Sequence, residues 1–131
     1  MENCLFCKIN NGLIPSKTIY EDDLVKVFLD INPATNGHML IIPKKHYENV
    51  MDIDKDFITY SIDLIREKIY PTLKEKLNCK GLTISQNNGL GQEVKHYHIH
   101  LIPRYENDCD KHTYNEELLK PIDEIYEVLT K

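Results

Sequence analysis

The chain of 131 residues is 41% hydrophobic and 28% charged, with a formal net charge of −5 when histidine is neutral. That length suits one domain with a single hydrophobic core, and the balance of apolar to charged residues excludes an intrinsically disordered chain. The negative sign argues against nucleic acid or an anionic membrane as partner, because the long-range attraction both need is missing; a small anionic ligand held by local N–H groups and histidines stays open.

The opening residues Met1-Glu2-Asn3-Cys4-Leu5-Phe6-Cys7 lack a basic stretch leading into a long apolar run, and the longest apolar run, 39–42, is far too short to span a bilayer. A cytoplasmic protein is expected on that basis. In that compartment a Cys-x-x-Cys pair is more often metal-binding or redox-active than disulfide-bonded. Taken in chain order, 5–11 reads as a short helix closed by Asn11-Gly12. Segments 18–20 and 24–29 are rich in β-branched and aromatic residues and flank the acidic turn Glu21-Asp22-Asp23, which predicts a hairpin. Asn32-Pro33 ends its second strand, and Gly37 leads into a third over 38–42, stopped by Pro43.

Asp54 is placed to cap a long helix in which Ile58, Ile62, Ile65, Ile69, Leu73 and Leu77 form one apolar face. Pro71 removes a helix hydrogen bond and is expected to kink that helix or start a second segment. A fourth strand is expected over 82–85, a loop over 87–91 and a fifth strand over 94–102, ended by Pro103. Leu118, Ile122, Ile125, Tyr126 and Leu129 suggest a C-terminal helix. With no repeat, low-complexity tract or linker, 1–131 reads as a single domain. The hairpin-like runs of strands predict an α+β fold: an antiparallel five-stranded sheet with one long helix packed on it, plus short N-terminal and C-terminal helices.

Alternation along a strand puts His96, His98 and His100 on one face, neighbours about 7 Å apart, with Tyr97, Ile99 and Leu101 turned to the other. A lone histidine there would more often be structural; three in alternation, followed by two aliphatic residues, favour function. Two readings fit them, a metal site or nucleophilic catalysis by imidazole. Cys4 and Cys7 form half a zinc site, weighed evenly against two small buried residues.

The segment His96-Tyr97-His98-Ile99-His100-Leu101-Ile102 resembles the signature of the histidine triad (HIT) family, in which three histidines alternate with apolar residues and two apolar residues follow. The upstream Asn87-Asn88-Gly89, Gly91-Gln92 and Val94 resemble that family's loop before the triad, although the loop is shorter than the family pattern. Gly37-His38, Ile41-Ile42-Pro43-Lys44-Lys45-His46, Ile14-Pro15-Ser16, Tyr20-Glu21-Asp22-Asp23 and Phe28-Leu29-Asp30-Ile31 resemble further blocks. The blocks stand in family order and span 3–104; the extension 105–131 matches no motif.

The resemblance implies a nucleotidyl hydrolase or transferase. It would cleave the α-phosphate bond of a nucleoside phosphoramidate or dinucleoside polyphosphate through a nucleotidyl-His98 intermediate. An imidazole of reference pKa about 6.5 is largely neutral, and so nucleophilic, at neutral pH. His100 and His38 would serve as phosphate donors or proton relays. Asn87 and the backbone N–H groups near Glu93 and Val94 would contact phosphate. So would Gln92, unless its amide only stabilises the loop. Leu5, Phe6, Ile9, Phe28 and Ile31 would line the base, and Asp30 would accept hydrogen bonds from the ribose hydroxyls. Without the resemblance, Ile9 and Phe28 read as core residues.

Some family members complete a Cys-x-x-Cys pair with two histidines; the matching set here is Cys4, Cys7, His46 and His96, a closed and therefore structural zinc site. A homodimer is also implied. Two competing readings are a nucleotide-binding regulatory module with little turnover and a metalloenzyme holding one metal on all three triad histidines. Cys79, Cys109 and His112 match no pattern, and Lys44 and Lys45 read as a solvated turn.

Overall fold

In the computed structural model, which describes residues 3–108 and 116–130, the acidic turn does close a hairpin. Asp22 Oδ1 accepts the N–H groups of Leu24 and Val25 at 2.8 and 2.9 Å, an Asx turn that brings β1 (Thr18–Glu21) against β2 (Val25–Leu29). Three further strands, β3 (Met39–Pro43), β4 (Gly81–Ser85) and β5 (Ile99–Arg104), complete an antiparallel sheet in the order β1-β2-β3-β5-β4. Cys109 and His112 lie outside the described residues.

The pleat sorts the side chains into two cores. Val25, Val27, Met39, Ile41, Ile99 and Leu101 face a long helix, which contributes Phe57, Leu64, Ile65, Ile69 and Leu73. Phe28, Leu40 and Ile42 face the other way, where Phe6 and Ile9 of α1 (Leu5–Asn10) cover them. Burial of such side chains contributes about 1.5–3 kcal/mol each. α1 is tied down at its C-terminal end as well: Lys26 Nζ donates to the Ile9 carbonyl at 3.2 Å, and Asn10 Nδ2 to the Pro43 carbonyl at 3.0 Å.

Asp54 caps the long helix as expected, its side chain accepting the Asp56 N–H. The helix runs through Pro71 without a break, as α2 (Lys55–Leu64), a π-helical stretch (Ile65–Ile69) and α3 (Tyr70–Leu77). The expected apolar face needs correction. Ile62 and Leu77 are exposed, whereas Phe57, Ser61 and Leu64 face the core. The wide turn absorbs one extra residue, so Leu64 and Ile65 are both buried and the stripe continues through Ile69 and Leu73. There the Tyr70 N–H bonds the Ile65 carbonyl five residues back, a change of register just where Pro71 can supply no N–H.

The fifth strand also differs from expectation. Pairing begins at Ile99, because the preceding chain is held elsewhere: the Tyr97 N–H bonds the Tyr47 carbonyl at 2.7 Å. His96 and His98 thus precede the strand, yet the alternation persists, with Tyr97 and Ile99 in the helix-side core and His100 opposite Leu40 on the other face. Pro43 belongs to β3 rather than stopping it; it pairs only with β2, and β5 pairs no further than Ile41. The C-terminal helix α4 (Ile122–Thr130) forms as expected, with Ile122, Tyr126, Val128 and Leu129 exposed. Among the described residues no helix is long and apolar enough to cross a membrane.

Candidate active site and metal site

The α1 side of the sheet carries a cavity of about 550 Å³. Leu5, Phe6, Ile9, Phe28, Asp30, Ile31, His38, Asn87, Glu93, Val94, His98 and His100 line it together. One expected member does not. Gln92 is buried beside it, and its amide is taken up by the loop: Nε2 donates to the Glu48 carbonyl at 2.6 Å and Oε1 accepts the Gly89 N–H at 3.1 Å. Asn88 turns away to accept the Val50 N–H at 2.8 Å. Ile14, Pro15, Ser16, Leu40 and Gly91 also line the cavity; the sequence reading gave them no site role, since their residue types carry no chemical signature.

Backbone groups fix the tautomer of each buried histidine. His98 Nδ1 lies 2.7 Å from the His96 carbonyl, so Nδ1 carries the proton and the Nε2 lone pair is left free. His96 Nε2 lies 3.0 Å from the Pro43 carbonyl, so its lone pair is on Nδ1. His38 Nδ1 accepts the Ala34 N–H at 2.9 Å; its proton is therefore on Nε2, which donates to His100 Nδ1 at 3.0 Å. His100 then carries its own proton on Nε2. Asp30 Oδ2 stands 3.6 Å from His38 Nε2 and 4.0 Å from His100 Nδ1. Asp30, His38 and His100 are close enough together to suggest a metal site, but the proton on His38 Nε2 makes them a hydrogen-bonded chain.

Burial pushes the His100 imidazole down to about 4, helped by the neighbouring His98 and His38 and opposed by Asp30. Burial also lowers His98, against the His96 carbonyl, Asp30 and Glu93, and lowers His38 against Asp30. The rings are accordingly neutral at pH 7. Phe6 meets the His98 ring edge-on, with centroids 5.0 Å apart, so α1 both walls the cavity and packs the central histidine.

On the far side of Phe6, Cys4, Cys7, His46 and His96 bring four donor atoms within 4.8 Å of one another. The spacings are Cys4 Sγ–His96 Nδ1 3.3 Å, Cys7 Sγ–His46 Nδ1 3.3 Å, Cys7 Sγ–His96 Nδ1 3.5 Å and His46 Nδ1–His96 Nδ1 3.2 Å. Tetrahedral zinc with ordinary ligand bonds would give edges of about 3.6 Å between S and N and about 3.3 Å between two N atoms. The donor set fits in chemistry too, because the unprotonated Nδ1 of His96 points into the cluster while its Nε2–H is held by Pro43. Burial and the Cys4 sulfur raise the Cys7 thiol when no cation is bound; a divalent ion reverses that by favouring thiolate.

The model of the HIT domain family matches residues 11–107 of this chain. The chain belongs to the histidine triad family. It is 44% identical to an uncharacterized HIT-like protein of Methanocaldococcus jannaschii, over 93% of this chain and 95% of that one. It is 39% identical to the adenosine 5'-monophosphoramidase of Saccharomyces cerevisiae, over 77% of this chain and 62% of that protein. A crystal structure of a HIT family protein from Bacillus anthracis superposes with a TM-score of 0.79 at 34% identity, covering 98% of this chain and 94% of that one. A Zn-bound histidine triad protein from Mycobacterium smegmatis does so with a TM-score of 0.77 at 32% identity, covering 88% and 84%.

Proposed function

We propose that this chain is a nucleotidyl hydrolase or transferase that opens the α-phosphate bond of a nucleoside phosphoramidate or a dinucleoside polyphosphate through a nucleotidyl-His98 intermediate. The observation that carries the reading is the tautomer of His98: Nδ1–H spent on the His96 carbonyl, Nε2 free, in a cavity shared with Asp30 and His100. The phosphoramidase activity named for the yeast relative supports the reaction class.

In this mechanism the Nε2 lone pair of His98 forms a bond to phosphorus, and the bond to the leaving group breaks with its electron pair. His100 Nε2–H donates a hydrogen bond to the leaving atom, which takes up a proton from solvent as it departs. Water then displaces His98 and releases a proton to solvent, so each group ends as it began. Phe6, Ile9 and Phe28 would hold the base, and Asp30 the ribose hydroxyls. Asn87 and the backbone N–H groups near Glu93 and Val94 would hold the phosphate.

Cys4, Cys7, His46 and His96 would bind zinc, which at a closed four-ligand site contributes folding free energy rather than a reactive water. A cytoplasmic homodimer is part of the same reading. His98→Asn tests it: turnover should fall by several powers of ten while nucleotide binding persists. Near-normal hydrolysis by that variant would remove His98 from the role of nucleophile.

A further inference from the structure

We infer that the Glu93 side chain selects the leaving group by charge, favouring an amine that carries a positive charge and rejecting an anionic one. The inference rests on the nucleotidyl-transfer reading above.

Two carboxylates line the cavity, Asp30 and Glu93, and among the described residues no lysine or arginine lines it. Asp30 is already engaged: Oδ1 accepts the Asn32 N–H at 2.8 Å, and Oδ2 faces His38 and His100. Glu93 is exposed and makes no ion pair among the described residues. Lys95, its nearest cation in sequence, gives its ammonium to the Gly89 carbonyl at 3.3 Å. The histidines offer no compensating charge, being neutral at pH 7. A substrate at His98 therefore meets negative potential.

The layout of the cavity assigns the two carboxylates to different parts of the substrate. Phe6, Ile9 and Phe28 form the apolar floor suited to a base, with Asp30 at the end of β2 beside them. The group on the other side of phosphorus is left the wall from the loop before the triad, to which Asn87, Gly91 and Glu93 belong. A polyphosphate there would set several negative charges against an unpaired carboxylate. An ammonium would pair with it. Discrimination by a repulsive element needs no added affinity for the favoured substrate.

The test uses two phosphoramidates of adenosine monophosphate, one made with diaminopropane and one with β-alanine. Both break a P–N bond to a primary amine, but one leaving group ends in an ammonium and the other in a carboxylate. The ratio of their kcat/KM values is compared in the wild-type chain, Glu93→Gln and Glu93→Lys, which cancels the intrinsic reactivity of each amine. The wild-type ratio should favour the ammonium substrate by roughly tenfold over the Glu93→Gln ratio. Glu93→Lys should shift the ratio further, toward the carboxylate substrate, and added salt should shrink the wild-type preference. Equal ratios in all three proteins, with both substrates turned over and His98 labelled, would overturn the role of Glu93 alone. Absence of turnover and of any His98 adduct with either substrate would overturn both readings.

Discussion

His38, His96 and His98 each have a ring nitrogen held by a backbone group, and His38 in turn sets His100. The alternation of histidines was plain in the sequence, and so was their shared face. Which nitrogen of each ring would be free was not, because it depends on carbonyl and N–H groups of Ala34, Pro43 and His96, which any residue type could supply. Gln92 shows the same limit: an amide suits a phosphate or a loop equally, and only the positions of Glu48 and Gly89 show its two ends engaged. The depressed imidazoles also make stability depend on pH. An unfolded histidine titrates near its ordinary value, whereas folded His100 resists protonation down to about 4, and His38 is lowered in the same direction. As pH falls, the unfolded chain therefore binds protons first. Stability contributed by keeping these rings neutral should be fully present above about 6.5 and lost progressively toward about 4. Urea midpoints measured across that range on the wild type and on His100→Gln would check this: the variant should show a shallower decline.

At the scale of elements, the hairpin, the capped helix and the sheet were legible because each has local chemistry: an Asx turn at Asp22, a cap at Asp54, and β-branched runs between turn residues. The phase of the long helix was not. Ile58, Ile62 and Ile65 obey helical spacing well, yet the π turn at Ile65–Ile69 shifts the buried stripe by one residue, and a uniform period cannot register such a shift. The start of β5 was misplaced for a related reason, since the extended chain through His96 and His98 bonds a loop carbonyl at Tyr47 instead of a neighbouring strand. The corrected phase makes a direct prediction. Leu64→Ala should cost about 2–5 kcal/mol, as buried leucine truncations do. Ile62→Ala should stay within about 0.5 kcal/mol, as exposed substitutions do. Chemical denaturation of the two variants separates the phases, and a larger loss at Ile62 would mean that the helix packs as the uniform period implies.

At the scale of the whole molecule, the sheet separates two tasks. One face holds the long helix and most of the core; the other holds α1, the cavity and the Cys4–Cys7–His46–His96 cluster. His96 joins the last two, since its ring faces the cysteines and its carbonyl holds His98. Metal at the cluster should therefore clamp α1, and with it Leu5, Phe6 and Ile9, against the segment before β5 that carries His98. Elemental analysis of protein purified without chelator should find about one zinc per chain. Cys4→Ser with Cys7→Ser should abolish that metal, lower thermal stability without unfolding the sheet, and weaken nucleotide binding more than it slows the chemical step. Covalent catalysis by His98 can be read out by intact-mass spectrometry of protein quenched milliseconds after mixing with an adenosine phosphoramidate. A transient gain of one adenylyl group is expected, mapped by fragmentation to His98 and absent from His98→Asn. Full turnover with no adduct at any quench time, or an adduct on another residue, would contradict it.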